Sequence, residues 1–330
     1  MKLSHSRAVL LMVVVTLLWS TAGVVSRQLE SAARFEVTFW RSAFTALSLL
    51  VLLPLWRRTS PGPTDRQERS PLGRWLHRHW GLLPESAAFW ISGVCWSVMF
   101  TAFMLALTFT TVANVLIIMS VGPLFTALVA RFAIGQQLAL RTWLAIVAAG
   151  AGIVYMYGSQ FVGALTQPGQ GTAGLVVGSL AALCVPVAAA INWTVVQRSQ
   201  THGEKIDLVP SVLLGGVLSA LATLPLAAPF AATGNDIAWL ALLGLVQLAI
   251  PCALAVVCAR SLKAPEVSLL ALLEVIFGIL LAWLGAGEAP GREVLIGGTL
   301  VIGALVINEL LGWRSRSGAP RIQNLDQHPS

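Results

Sequence analysis

The stretch LALLEVIFGILLAWLGAGE, residues 270–288, decides the fold. From Leu270 to Gly287 its only ionisable side chain is Glu274, in a run that matches the roughly 20 helical residues needed to cross a hydrocarbon core. The same composition extends outward along all 330 residues, which include 21 Lys and Arg, 14 Asp and Glu, and 56% hydrophobic residues. An ordinary soluble domain is roughly one-quarter charged. At 11% charged and a mean hydropathy of +0.79, this chain has too little polar surface to cover a globule in water. The reading is an all-α polytopic membrane protein.

Spanning runs are expected at about 8 to 26, 37 to 56, 86 to 108, 112 to 131 and 141 to 158, and again at about 173 to 196, 209 to 228, 237 to 257, 265 to 285 and 293 to 312. The break between the third and fourth is marked only by Thr108, Thr110, Thr111 and Asn114. The first run follows Lys2 and Arg7 but is long for a signal segment and is read as a retained helix. With the N-terminus inside, 17 of the 21 Lys and Arg fall in cytoplasmic segments. Arg27, Arg34 and Arg292 fall outside, and Arg41 lies within the second span. That partition fits an even number of spans with both termini cytoplasmic.

The chain also repeats itself. Placing Gly135 on Gly287 superimposes Val115 on Val267, Phe125 on Phe277, Leu128 on Leu280 and Ala130 on Ala282. Five spans per half is an odd number, so the halves have inverted topology, the architecture of many secondary transporters. The expected organisation is a first repeat at 1–158, an outer linker at 159–172, a second repeat at 173–313 and a cytoplasmic tail at 314–330.

The net charge of +7 does not point to nucleic acid, because no folded soluble module is left to carry a basic surface. The polar segment from Thr59 to Leu72 reads as a solvated cytoplasmic loop. Cys95, Cys184, Cys252 and Cys258 sit in apolar runs without CxxC spacing and read as packing thiols. His77 and His79 flank Arg78 and read as interfacial residues. No Walker A segment, HExxH or Asp-rich metal motif occurs, so the expectation is a non-enzyme with no cofactor and no metal, driven by gradients.

Several stretches, in order and over almost the whole chain, resemble the EamA branch of the drug/metabolite transporter superfamily. They are Leu18-Trp19-Ser20-Thr21, Phe39-Trp40-Arg41, Thr111 to Gly135 with Gly122-Pro123, and Leu270 to Glu288. Gly135-Gln136 and Glu274-Val275 depart from the family pattern, in which Gly-Glu and a proline after the glutamate are common. The resemblance implies gradient-driven movement, often export, of amino acids and other small metabolites. It also implies a cavity between spans 1 to 4 and 6 to 9, with spans 5 and 10 peripheral. That would put Trp19 and Ser20 of the first span, Pro123 of the fourth, and Asn192 and Trp193 of the sixth along the path.

Polar groups inside spans are costly there, which makes them the candidates for chemistry. Glu274, near mid-membrane, is either a proton or cationic-substrate site or a neutral carboxyl bonded to a neighbouring helix. Arg41, one turn into its span, either snorkels outward or faces the cavity and pairs with a carboxylate. Pro123, Pro186 and Pro251 kink their helices, freeing carbonyls for a ligand or simply for packing. Asn114, Asn192 and Gln247 either orient a polar ligand or bond between helices. Phe89, Trp96, Phe100 and Phe103 recur at helical spacing, a pattern that favours packing or lipid contact over an aromatic cavity wall. Glu288 reads as a capping or surface residue.

Together these readings give a ten-helix exporter of a small organic metabolite in the cytoplasmic (inner) membrane, with a proton or other ion as the possible coupling partner. The rival reading is a membrane sensor or assembly partner with the same fold and no flux.

Overall fold

The computed structural model describes residues 4–59, 86–134, 140–155 except 142, 146, 149, 153 and 154, then 170–201, 207–262, 264–287 and 289–317. The charged loop beyond Thr59, His77 and His79, Gly135, linker positions 159–169, Glu288 and the tail beyond Ser317 lie outside the described residues. Every regular element among the described residues is helical. The first half holds α1 (His5–Ser26), α2 (Arg34–Thr59), α3 (Ala87–Phe109), α4 (Val112–Met119), α5 (Gly122–Ile134) and a shorter apolar helix, α6 (Trp143–Gly152). The second half holds α7 (Gln170–Thr201), α8 (Pro210–Ala227), α9 (Gly234–Leu242), a π-helical segment (Leu243–Ala249), α10 (Ile250–Ala259), α11 (Ala264–Ala286) and α12 (Arg292–Ser317).

Among the described residues, eight helices are long and apolar enough to cross a bilayer, with α4 and α5 together forming one of them and α9 through α10 another. In hydrocarbon every backbone N–H and C=O must be satisfied within the protein, and uninterrupted helix does this. α6 and α12 occupy the places of the fifth and tenth expected spans and touch each other, Gly152 lying against the Gly297 carbonyl and Val301.

Two expected single helices are interrupted. Between α4 and α5, Ser120 and Val121 form a turn, and Pro123 offers no N–H to the Met119 carbonyl four residues before it. In the eighth span the backbone widens to π-helix just ahead of Pro251. A proline ring crowds the carbonyl four residues earlier, here that of Gln247, and a wider turn relieves the crowding. α7 runs through Pro186 and α11 through Glu274 without a break. The α3–α4 junction is only two residues long. Thr110 is extended, and the Thr111 side chain accepts from the Asn114 N–H at 3.3 Å, capping α4.

The helix contacts repeat when the halves are exchanged. α1 packs along α11, as α7 packs along α4 and α5. α3 packs on α7, as the π segment and α10 pack on α1. α3 lies on α8, as α9 and the π segment lie on α2, while α2 with α8 and α4–α5 with α11 form the self-paired contacts.

Small residues set the closest crossings, as expected where lipid supplies no hydrophobic drive between helices. A Cβ at Gly215 would lie 2.3 Å from Trp96 Cβ and 3.1 Å from the Gly93 carbonyl. Buried hydroxyls bind the same helices. Ser219 Oγ is 2.8 Å from both Ser42 Oγ and Thr101 Oγ1, joining α8 to α2 and α3. Ser92 Oγ donates to Asn192 Oδ1 at 2.6 Å and pairs with Ser211 Oγ at 2.7 Å.

One end of the bundle is closed by two carboxylates that serve each other's loops. Glu36 at the start of α2 accepts from the Ala231 and Ala232 N–H groups at 2.9 Å each and from Trp40 Nε1 at 3.3 Å. Asp236 at the start of α9 accepts from the Glu30 N–H at 2.9 Å and the Ser31 N–H at 3.2 Å, and it completes a capping box with Thr233. At the other end Arg260 pairs with Asp207, and Gln197 Oε1 accepts from the Ala264 N–H at 3.1 Å.

Gly215→Ala places its methyl inside the van der Waals radius of Trp96 and is expected to destabilise the bundle by about 1 to 3 kcal/mol. The check is the midpoint of thermal unfolding in lipid nanodiscs, with an unchanged midpoint counting against this crossing.

Candidate functional site

A cavity of about 120 Å³ lies where the two halves meet. One water needs about 10 to 15 Å³ on this scale, so the space admits several waters or a small organic molecule. Its lining comes from α1, α2, α3, α4 and α5 of the first half and from α7, the π segment, α10 and α11 of the second.

Most of the wall is apolar, and its largest side chains are aromatic. Trp96, Phe100 and Phe103, at i, i+4 and i+7 on α3, share one face of the helix and line the cavity. Trp96 meets Trp193 edge-on at 5.7 Å and Phe100 at 5.5 Å. Of the four aromatic residues read as packing or lipid-facing, these three form the wall, while Phe89 is buried outside it. Met99 and Met119 add thioethers, and aliphatic residues such as Leu116, Val185, Leu248 and Leu272 complete the apolar surface.

A guanidinium and an ionisable carboxyl face this apolar space. Arg41 is 1% exposed and lines the cavity, so it does not snorkel. Its Nη2 and Nε donate to Gln247 Oε1 at 2.9 and 3.2 Å, and its Cζ lies 5.6 Å from the centre of the Phe103 ring. Gln247 in turn donates from Nε2 to the Trp19 carbonyl at 3.2 Å. The close approach behind this arrangement requires Gly244. A Cβ there would meet Phe44 Cβ at 2.6 Å and the Arg41 carbonyl at 2.9 Å, and Thr45 Oγ1 donates to the Gly244 carbonyl at 3.1 Å. Glu274 on α11 is 8% exposed and also lines the cavity. No hydrogen bond or ion pair within 4 Å joins it to Arg41.

Of the nine residues expected along the path, six meet at this cavity: Trp19, Arg41, Pro123, Trp193, Gln247 and Glu274. Three lie off its lining. Ser20 donates to the Leu17 carbonyl within α1 at 2.7 Å. Asn114 donates to Thr110 Oγ1 at 3.0 Å in the α3–α4 turn, and Asn192 belongs to the hydroxyl cluster with Ser92. Thr126 and Ser268 line the cavity without having been singled out, and Cys252, read as a packing thiol, lines it too. Thr126 Oγ1 donates to the Gly122 carbonyl at 2.9 Å and lies 2.8 Å from Ser268 Oγ, a polar bridge between α5 and α11. Short hydroxyls in apolar runs carry no sequence mark that separates a cavity face from a packing face. The four cysteines are free thiols, and no group of His, Cys, Asp and Glu among the described residues has a metal-binding arrangement.

A model of the EamA-like transporter family matches residues 6–158 and again 176–309. The chain belongs to the EamA-like transporter family. It is thus a multi-pass membrane protein of the drug/metabolite transporter type, built from two EamA repeats, with a small molecule as substrate and the bilayer as surroundings. No curated protein matches the chain. A crystal structure described only as that of a protein shares the fold, with a TM-score of 0.63 at 19% identity over 94% of this chain and 100% of that one. The two matched segments of this EamA-like transporter are the halves whose helix contacts exchange, and the cavity lies between them.

Met119 is half-buried at the cavity wall and Ser219 is buried among α2, α3 and α8. Introduced cysteines should separate them. Met119→Cys is expected to react with a small methanethiosulfonate at least about tenfold faster than Ser219→Cys, because accessible thiolates react and packed thiols do not. Equal rates in nanodiscs would mean that the cavity does not admit the reagent.

Proposed function

We propose that the protein is a secondary active transporter that moves a small organic metabolite, such as an amino acid, outward across the cytoplasmic membrane by alternating access. In this reading the chain makes ten spans as two inverted five-helix repeats, 1–158 and 173–313. An outer linker joins them, and both termini, including the tail from residue 314, are cytoplasmic. The observation that carries the proposal is the cavity between the halves, which has Arg41 and Glu274 facing it unpaired with each other. An inverted-repeat transporter binds at the interface of its halves and exposes that site by rocking one half against the other. A guanidinium and a carboxyl at separate places on an apolar wall suit a molecule that carries both a carboxylate and an amine group.

Glu274 is the proposed coupling group. A carboxyl in an apolar cavity is costly as an anion and can carry a proton between the two sides. Arg41, Gln247, Trp19, Trp193 and the Pro123 turn make the substrate pathway. Ser20, Asn114 and Asn192 support it from outside the cavity.

The test is flux through purified protein in liposomes. Saturable counterflow of an amino acid or similar metabolite is expected, and binding without flux would favour a sensor or assembly role. Glu274→Gln is expected to keep downhill counterflow while losing proton-driven accumulation. Full uphill transport by that variant would remove Glu274 from the coupling step.

A further inference from the structure

We infer that the cavity reads an organic carboxylate through one edge of the Arg41 guanidinium, and that Gln247 is the positioning residue that turns this edge toward the substrate. The inference rests on the transporter reading and deepens it by naming the recognition chemistry.

A guanidinium offers two forks of paired N–H groups and two flat faces. On Arg41 the side fork, Nε with Nη2, is closed by Gln247 Oε1, and Phe103 lies against a face. What remains is the end fork, Nη1 with the second N–H of Nη2, and Nη1 has no hydrogen-bond partner. A second donor on the same wall, Trp96 Nε1, is also buried without a partner. An unmet buried donor is costly, so both call for an acceptor that the protein does not supply.

The end fork matches the two oxygens of a carboxylate in geometry and charge. Arg41 is the one cation among the described residues of the lining, which disfavours a phosphate dianion. The surrounding indole, phenyl and thioether groups call for an apolar body behind the carboxylate.

Gln247 controls which edge is free. Its Oε1 holds the side fork and its Nε2 is tied to the Trp19 carbonyl, so the amide cannot turn over without losing both bonds. Without that acceptor, Arg41 would have both forks unmet and no fixed orientation.

The experiment is scintillation-proximity binding of labelled phenylacetate to the full chain in nanodiscs, with displacement by unlabelled phenylacetate and by its neutral isostere phenylacetamide. The acid is expected to compete at least about tenfold better than the amide. Gln247→Met, similar in length but without the acceptor, should lower that ratio at least about threefold, the acid losing more than the amide. A merely structural role for Gln247 would weaken both compounds together. Arg41→Met removes both the charge and the fork, and should bring the ratio close to one. Equal competition by acid and amide, or no binding of phenylacetate at millimolar concentration, would overturn the carboxylate assignment. An unchanged ratio in Gln247→Met would overturn the role of Gln247. Binding that follows the expected ratio without any flux in liposomes would count against the transporter reading alone.

Discussion

A guanidinium with 1% of its surface exposed, inside a bundle that lipid surrounds, has to be solvated by the protein itself, and much of the architecture around it follows from that requirement. The acceptor is Gln247, which reaches Arg41 because the eighth span widens to a π turn and comes close to α2 at Gly244. The Thr45 hydroxyl ties the same two helices, and the Gln247 amide joins them to α1 through the Trp19 carbonyl. Three spans from two repeats are thereby fixed around one charge. The cavity wall they form owes its shape to this arrangement as much as to the aromatic residues that line it.

The same accounting governs the rest of the bundle. Lipid removes water as a partner, so helix-to-helix affinity has to come from close packing and from hydrogen bonds within the protein. Glycines at 93, 215 and 244 supply the first, and the hydroxyls of Ser42, Thr101, Ser219, Ser92 and Ser211 supply the second. Most of these contacts cross between the halves. The halves are therefore held by short polar bonds and small-residue crossings, while the cavity between them keeps the larger apolar side chains.

Eight of the ten expected spans, those met by long apolar helices among the described residues, were legible from hydropathy, and the two repeats from the Gly135–Gly287 alignment, because both follow from patterns along one strand of chain. Arg41, Gln247 and Glu274 stood out for a related reason, since polar side chains are rare in apolar runs. Their partnership was not legible. Arg41 and Gln247 are 206 positions apart, and only the packed bundle brings them together. The π turn was hidden because Pro251 announces a disturbance without stating its form. Asn114 and Asn192 carried the same sequence mark as Gln247, yet they serve a turn and a hydroxyl cluster. The pattern on α3 was visible at Trp96, Phe100 and Phe103, but periodicity alone does not say whether a face meets lipid, protein or a cavity.

The paired carboxylates at one end of the bundle differ in kind from the side-chain bonds within it. Glu36 and Asp236 grip backbone N–H groups of the opposite loop, at Ala231 and Ala232 and at Glu30 and Ser31. Every residue except proline carries that donor. The closure is thus encoded on one side only. The two acids specify it, while the gripped positions can take almost any side chain that keeps the loop path, leaving those surfaces chemically open to change without loosening the end of the bundle.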